Sequence, residues 1–242
     1  MRGRRRRNSC SGVAAAVLLA LAGAAAAQGP EKPAAKPPAE APRPNTWYAQ
    51  ALAHSDAGIN VTHFWSKDDQ LRAETVIAGR RIVTIVTSDT YYAYDLLVRT
   101  GIAVQRSPQA RKQDAERSRP FGNELLAVQR QGAERVDQEI LGGRKVSVYQ
   151  VTDAEGRRRV WVTEDDMRLP LRLEVYRRAT QQTFRTDFLN WQRGLPIADE
   201  FFLPEPGVAL APLSFEQYIA KEAAREPLGP VPVLYTDLLH GY

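Results

Sequence analysis

Residues 135–191 decide the fold, and their sequence is RVDQEILGGRKVSVYQVTDAEGRRRVWVTEDDMRLPLRLEVYRRATQQTFRTDFLNW. Five short runs of alternating apolar and polar residues are separated by residues that favour turns. The separating segments are Gly142-Gly143, residues 153–156, residues 164–170 and residues 179–181. Alternation with a period of two, bounded by Gly, Asp and Pro, is typical of strands joined by hairpins. We therefore predict a five-stranded antiparallel meander.

The alternation gives this meander an apolar face and a polar face. The apolar face comprises Val146, Val148, Val160, Val162, Leu171, Leu173, Val175, Phe184 and Phe188. The polar face carries charged residues, with Tyr149, Trp161, Tyr176 and Trp191 among them. One solvated face is common in antiparallel sheets, so the apolar face needs a cover. It is either an ordinary packed core or the wall of a cavity for an apolar ligand.

A helical insert before the meander is the candidate for that cover. Ser107-Pro108 predicts a helix start, because Pro is favoured in the first helical position. Residues 124–130 predict a second, more apolar helix that ends near Gly132. Pro120-Phe121-Gly122 interrupts the polar segment between the two helices. We expect this insert to lie over the open sheet.

The residues upstream predict a short helix and a set of strands. The helix follows Asn45, a suitable N-cap, and places Trp47, Tyr48, Ala51 and Leu52 on one face. The strands are predicted at residues 61–66, 70–78, 81–87 and 91–94. Residues 82–86 are apolar on both faces, so this strand is expected to be central and covered twice.

Downstream of the meander the sequence predicts an edge strand and a C-terminal helix. Residues 197–204 are interpreted as a closing edge strand that is stopped by proline. Ser214 and Gln217 form a capping box, which predicts a helix that ends before Pro227. The apolar tail at residues 231–239 is expected to pack on the domain.

The charge of the chain is concentrated at its N-terminus. The 242 residues are 43% hydrophobic and 25% charged, which is ordinary for a soluble globular protein. Five of the 33 basic residues lie within residues 2–7, and the rest equal the 28 acidic residues in number. The formal net charge of +5 therefore does not argue for nucleic acid or an anionic membrane as a partner.

Residues 1–27 predict a secretory signal peptide. An arginine cluster is followed by a short apolar run at residues 13–21 and by Ala25-Ala26-Ala27, an A-x-A cleavage site. Cleavage near Ala27 would deliver a mature chain to the periplasm, with the general secretory and twin-arginine routes both open. Cys10 precedes the apolar run and is misplaced for lipidation, so the mature chain would lack cysteine. Residues 28–44 are a Pro- and Ala-rich linker.

No pattern for catalysis or metal binding is present in the sequence. His54, His63 and His240 are not spaced as metal ligands, and the acidic residues 164–166 lack the spacing of a calcium-binding loop. Glycine-rich phosphate loops and the G-x-S-x-G turn of hydrolases are absent as well. We therefore predict a protein that is not an enzyme and that uses no metal or other cofactor.

Several short motifs occur in a characteristic order. They are Trp65-Ser66-Lys67, Leu71-Arg72-Ala73-Glu74, Gly142-Gly143-Arg144, Val160-Trp161-Val162, Leu169-Pro170-Leu171-Arg172 and Phe201-Phe202-Leu203-Pro204. Over residues 45–206 this order resembles the LolA/LolB-like superfamily of periplasmic lipoprotein carriers, which includes the N-terminal domain of RseB-type regulators. The Pro-rich linker and residues 207–242 are additions to that pattern.

The resemblance implies an α+β fold, in which a strongly curved antiparallel sheet forms an unclosed β-barrel and helices cover its concave face. It also implies a protein of outer-membrane lipoprotein sorting that binds the acyl chain of a lipid or lipidated protein in an apolar cavity. Trp65 joins the nine apolar meander residues as expected cavity lining. Arg72 is the candidate for the functional arginine of the carriers. Residues 45–206 would form this domain, with residues 207–242 packed on it.

A regulatory protein of the RseB type is the alternative. Such a sensor acts through contact with another envelope protein and usually has a second domain, whereas a carrier requires a cavity and releases its cargo. Residues 207–242 are few for a second domain, which favours the carrier. In either case we expect a monomer without a nucleic-acid partner.

Overall fold

One large sheet organises the residues that the computed structural model describes, which are 45–55, 58–228 and 231–241. The predicted signal peptide and the linker lie outside these residues. The strands are β1 (Thr46–Ser55), β2 (Gly58–Lys67), β3 (Gln70–Ile77), β4 (Arg80–Val86), β5 (Thr90–Asp95), β6 (Thr100–Gln105), β7 (Glu134–Leu141), β8 (Arg144–Thr152), β9 (Gly156–Thr163), β10 (Pro170–Arg177), β11 (Gln182–Arg193) and β12 (Ala209–Leu213). Their order in the sheet is β12-β6-β5-β4-β3-β2-β1-β11-β10-β9-β8-β7.

The predicted meander is confirmed as β7 to β11, in which each strand pairs antiparallel with the next. β11 also pairs with β1, and this pairing joins the meander to the N-terminal strands in one sheet. The four predicted strands of the first half are confirmed as β2 to β5. β6 was not predicted, and β12 runs parallel to it at one edge of the sheet.

The fold class is confirmed in a coarser form than the one predicted. The described residues are mostly β, with about 50% of them in strands and few in helices, and the sheet is largely antiparallel. The sheet is neither closed nor strongly curled, against the strong curvature implied by the resemblance. Its order begins with β12 and ends with β7, and these two strands do not pair with each other.

The short helix predicted after Asn45 is wrong, because these residues form the central strand β1. Trp47 and Ala51 are four residues apart and suit one face of a helix, but they are also an even number apart and suit one face of a strand. β1 pairs along its length with β2 on one side and β11 on the other. Hydrogen bonding to both neighbours therefore overrides the local helical pattern.

The predicted edge strand at residues 197–204 is also wrong. These residues contain a 3-10 turn at Asp199–Phe202, and the edge strand is β12 instead. Adjacent residues of a strand point to opposite faces, yet Phe201 and Phe202 pack in the same apolar cluster on the sheet. A helical turn allows both rings to reach that cluster, which a strand would not.

Four helices lie in the described chain: α1 (Pro108–Asp114), α2 (Glu124–Arg130), α3 (Phe215–Ala223) and α4 (Thr236–His240). The predicted starts of α1 and α3 are confirmed. The Ser107 hydroxyl accepts a hydrogen bond from the Ala110 N–H, and Ser214 and Gln217 form the capping box of α3. The buried Arg106 guanidinium donates to the Leu238 carbonyl at 2.7 Å and to both Asp114 carboxylate oxygens at 2.8 Å. It thereby links α1 and α4.

The two faces of the sheet pack against different parts of the chain. The helix face, as we call it, bears the buried residues Trp47, Ala49, Phe64, Leu71, Tyr91, Ile102 and Phe188. Tyr218 of α3 and Leu239 of α4 pack on this face. The opposite face, called here the second face, bears Trp65, Val83, Ile85 and Tyr94 and packs against Phe201 and Phe202. Residues 82–86 are therefore buried on both faces, as predicted.

Candidate ligand cavity

A cavity of about 390 Å³ lies between the helix face and its cover. The sheet contributes Ala51, Ala53, Thr62, Phe64, Leu71, Leu173, Thr186 and Phe188. The cover contributes Arg117, Pro120, Phe121, Gly122, Asn123, Glu124, Leu126, Ala127, Arg130, Tyr235, Asp237 and Leu238. Most of the sheet residues are apolar, whereas charged residues come from the cover. The cavity therefore has an apolar wall and a polar border.

Aromatic stacking fixes the cover to the sheet beside this cavity. The Phe121 ring stacks on Trp191 with centroids 5.4 Å apart, and on Phe64 with centroids 5.1 Å apart. Gly122 has a φ of +72°, and a Cβ at this position would approach Trp191 Cη2 to 2.6 Å. Glycine is therefore required here both for the backbone conformation and for the close approach to the indole.

Helix α2 forms the part of the cover that lies over the meander. Its buried Val128 packs against Val160 and Val162, and its Leu125 joins the same cluster. The helical insert thus covers the sheet, as the sequence predicts.

Three buried polar atoms beside the cavity have no hydrogen-bond partner among the described residues: Arg117 Nη1, Arg119 Nε and Glu124 Oε2. Arg119 Nη2 donates to the Gly122 carbonyl at 2.7 Å. Its guanidinium also lies over the Trp47 and Trp191 rings. Buried polar groups in proteins usually have partners, so this cluster marks the polar border as a place where a ligand could bind.

Burial is the largest cause that raises the pKa of Glu124 to about 7. A low-dielectric environment disfavours the charged carboxylate, and the nearby charge of Asp237 adds to the effect. The positive charge of Arg119 and a backbone hydrogen bond oppose it. The carboxyl group of Glu124 therefore changes its charge near neutral pH.

The structure brings only some of the predicted lining residues to this cavity. Leu173 and Phe188 line it. Val160 pairs directly with Leu173, so both lie on the helix face. Val162 has the same orientation as Val160 and packs under α2. Val175 and Phe184 pair with each other on this face but do not line the cavity.

The prediction of one continuous apolar face is wrong for Val146, Val148 and Leu171. Val148 pairs with Trp161, and Val146 pairs with Thr163, so these valines lie on the face opposite to Val160. A register irregularity between Pro170 and Arg172 carries Leu171 to that side, where the three pack with Trp161. The cause is register, because a shift of one residue moves a whole strand's apolar set to the other face.

Trp65 and Arg72 pair with each other on the second face, away from the cavity. The Trp65 ring packs edge-on against Phe201. The buried Arg72 donates its Nε to Glu74 Oε1 at 2.9 Å and its Nη1 to the Phe201 carbonyl at 3.1 Å, and its Nη2 to Glu205. These contacts hold the segment after β11 on the sheet.

Sequence patterns do not identify the lining residues of β1, β2 and β3, nor those of residues 117–127. Ala51, Thr62 and Leu71 are far apart in sequence and meet only through strand pairing. Phe121 could have been predicted as a contact residue of the cover, because it is an aromatic residue in a Pro-x-Gly segment that interrupts an otherwise polar insert.

Another cleft, of about 590 Å³, lies at the second face of the meander. Here Arg172 Nε, Arg185 Nη2 and His54 Nε2 lie 2.8, 2.6 and 3.1 Å from the carboxylate of Asp187. Burial would raise the pKa of Asp187, but the hydrogen bonds from Arg185 and Arg172 outweigh it and hold the pKa below its usual range. A charged cluster of this kind suits an apolar chain poorly.

The histidines and acidic residues do not assemble into a metal site in the described part of the chain. His63 Nδ1 is 3.0 Å from the Tyr48 hydroxyl. Glu164 accepts hydrogen bonds from Arg135, Gln138 and Ser147. Within the described residues, no helix has the length and apolar character needed to cross a membrane.

Solved structures with a similar fold share little sequence identity with this chain. An uncharacterized conserved protein from Thermus thermophilus matches with a TM-score of 0.52 and 9% identity over 69% of this chain and 90% of that chain. The MucA/MucB complex of Pseudomonas aeruginosa matches with a TM-score of 0.42 and 15% identity over 70% of this chain and 59% of that chain. This chain thus spans less than two thirds of that protein.

A structure described as a "putative outer membrane lipoprotein-sorting protein domain" from Vibrio parahaemolyticus also matches. Its TM-score is 0.32, with 11% identity over 66% of this chain and 89% of that chain. No family model and no curated protein matches the sequence. The matches include both kinds of protein that the sequence resembles, MucB (RseB) and a lipoprotein-sorting domain. At these identities the likeness concerns the fold alone, and it is the match to the Thermus thermophilus protein that shows a shared fold.

Proposed function

We propose that this protein is an exported envelope protein that binds one acyl chain, from a lipid or a lipidated protein, in the cavity under α2. The observation that carries the proposal is the apolar wall formed by Phe64, Leu71, Leu173 and Phe188 beneath a separate helical cover. A volume of about 390 Å³ is near the lower end for small-molecule sites, which span about 300–1,000 Å³. A single chain suits this volume better than several.

The proposed activity is binding and release, without chemistry on the ligand. The predicted signal peptide, cleaved near Ala27, would place the mature protein in the periplasm. The LolA-like fold agrees with this role, which corresponds to a carrier in lipoprotein sorting. The predicted lining residues Val160, Val162, Val175 and Phe184 would then stabilise the wall around Leu173 and Phe188 rather than touch the chain.

A regulatory protein that acts by contact with another envelope protein is the second candidate. The specific observation in its favour is β7, which lies at the edge of the sheet with every residue but the last exposed. Val136 and Ile140 of this strand are 51% and 72% exposed. An exposed edge strand can pair with a strand of a partner protein.

Substitution of Leu173 by Glu tests the carrier proposal. We expect Leu173→Glu to weaken binding of a fluorescent fatty-acyl probe at least tenfold, because the carboxylate would project into the apolar cavity. Leu97→Glu is the matched control, since Leu97 is 74% exposed in the turn between β5 and β6. Probe affinity and the urea midpoint are measured on the same samples.

Probe affinity and the urea midpoint together distinguish an open cavity from a filled core. A cavity open to water lets the Leu173→Glu variant fold with a small change in the urea midpoint. In a filled core, an unpaired buried carboxylate is costly, and even an uncharged polar group costs about 1–3 kcal/mol. A badly destabilised Leu173→Glu variant, together with a wild type that binds no probe, would exclude the carrier function.

A further inference from the structure

Among the residues that line the cavity, one buried donor and one buried acceptor have no hydrogen-bond partner in the described part of the chain. Both Arg117 and Glu124 line the cavity. Arg117 Nη1 is 3.7 Å from Asp114 Oδ1, which is an ion pair beyond hydrogen-bond distance. Glu124 Oε2 is buried and has no partner in this part of the chain. A ligand whose polar end has both an acceptor and a donor would supply a hydrogen-bond partner to Arg117 Nη1 and to Glu124 Oε2.

The charges that line the cavity balance one another. Arg117 and Arg130 are positive, and Glu124 and Asp237 are negative. Three of the four already take part in ion pairs, because Asp237 is 3.3 Å from Arg117 Nη2 and Arg130 contacts Glu116. The lining residues therefore carry no net positive charge that would select an anionic group. The nearby Arg119 lies outside the lining, where its guanidinium contacts the Trp47 and Trp191 rings and the Gly122 carbonyl. The carboxylate of Glu124, which has no ion pair among the described residues, would repel an anion.

We propose that the cavity selects amphiphiles whose polar end is uncharged and carries both a hydrogen-bond donor and an acceptor, such as a hydroxyl ester or an amide. The donor binds Glu124 Oε2 and the acceptor binds Arg117 Nη1. This inference rests on the proposed acyl-chain binding and adds the chemical class of the ligand's polar end. An ionised fatty acid is disfavoured, because its negative charge would lie beside the Glu124 carboxylate, and the burial of Glu124 Oε2 strengthens the repulsion between the two charges.

Two probes with the same chain, monolaurin and lauric acid, test the inference by displacement of the fluorescent dye 1-aminoanthracene at pH 8. Both the lauric acid and Glu124 are mainly ionised at this pH. We expect wild-type protein to bind monolaurin at least tenfold more tightly than lauric acid. We expect Glu124→Gln to reduce this ratio at least fivefold, chiefly by tighter binding of lauric acid. The wild-type comparison requires no variant, so it stands even if a variant folds poorly.

Glu155→Gln is the matched control, because Glu155 is an exposed residue of the β8–β9 turn and its substitution removes the same charge far from the border. It should leave the ratio unchanged. Equal affinity of the wild type for the two probes, or a ratio that Glu124→Gln leaves unaltered, would overturn the inference while acyl binding stands. If neither the dye nor either probe binds the wild type, the proposed function fails as well.

Discussion

The ring of Phe121 stacks on the ring of Trp191 with centroids 5.4 Å apart and planes 7° apart. Phe121 belongs to the cover and Trp191 to β11. The stack therefore joins the cover to the sheet through two residues that are 70 positions apart in sequence. Trp191 is held in turn by its indole N–H, which donates to the Pro170 carbonyl at 3.0 Å. The position of the cover over the cavity therefore depends on this contact.

We expect Phe121→Ala to destabilise the protein by about 3–5 kcal/mol, the usual range for loss of a buried phenylalanine. The substitution removes the stacks on Trp191 and Phe64 and enlarges the cavity. Urea unfolding followed by tryptophan fluorescence measures the change. Phe184→Ala is the control, because Phe184 is half-buried, and it should cost clearly less. Equal costs for the two variants would contradict the role given to the stack.

Glu124 should make stability depend on pH near neutrality. Its pKa is about 7 in the folded protein and about 4.3 in an unfolded chain, so the folded state binds the proton more tightly. The stabilising contribution of the protonated Glu124 carboxyl group is fully present below about pH 4 and is lost as the pH rises through 7. We therefore expect Glu124→Gln to gain stability relative to wild type between pH 5 and pH 8.5. A difference in unfolding free energy that stays constant across this range would show that the carboxyl group is not buried as described.

Asp187 should make stability depend on pH in the direction opposite to that of Glu124. Its pKa is held below the usual range by Arg185 and Arg172, so its contribution is present above about pH 4, near the unfolded pKa, and is lost as the pH falls through the folded pKa. At pH 7 we expect Asp187→Asn to cost on the order of 2 kcal/mol, since hydrogen bonds to charged groups contribute about 1.5–3 kcal/mol. The cost should shrink below pH 4, as measured by thermal melts in a pH series. A cost that is the same at pH 3 and pH 7 would rule out this electrostatic origin.

Local sequence patterns predicted the parts of the fold that depend on local interactions. The five strands of the meander, the extent of α2 and the capping box of α3 follow from spacing within a few residues. The register between neighbouring strands is not a local property, and it determines which face each strand presents. This is why Val148 was grouped with Val160, although pairing with Trp161 places Val148 on the other face.

The candidate site was less predictable than the fold for the same reason. Leu173 and Phe188 were identified because they belong to the strongly alternating meander. The rest of the wall comes from β1, β2 and β3, whose residues approach the meander only because β1 pairs with β11. β1 itself has a sequence that suits a helix as well as a strand. A site assembled through such a pairing becomes visible only once the sheet order is known.

Arg72 is the residue that the resemblance implies as the functional arginine. Its side chain is 7% exposed and contacts Glu74, Glu205 and the Phe201 carbonyl on the face opposite to the cavity. Burial lowers the pKa of Arg72, but hydrogen bonds and charge interactions with Glu205 outweigh it, so the pKa is raised and the group stays charged. A structural role follows from these contacts.

We expect Arg72→Met to destabilise the protein by about 3 kcal/mol, because removal of one partner leaves buried carboxylates uncompensated. Addition of Glu205→Gln to Arg72→Met should recover part of the lost stability, since it removes one of the negative charges that no longer have an arginine partner. Binding of the fatty-acyl probe should be unchanged under conditions in which the variant is folded. Urea midpoints and probe titrations on the single and double variants provide both measurements. Loss of probe binding in a fully folded Arg72→Met variant would instead assign this arginine a direct part in ligand handling, because packing on the far face of the sheet could not explain it.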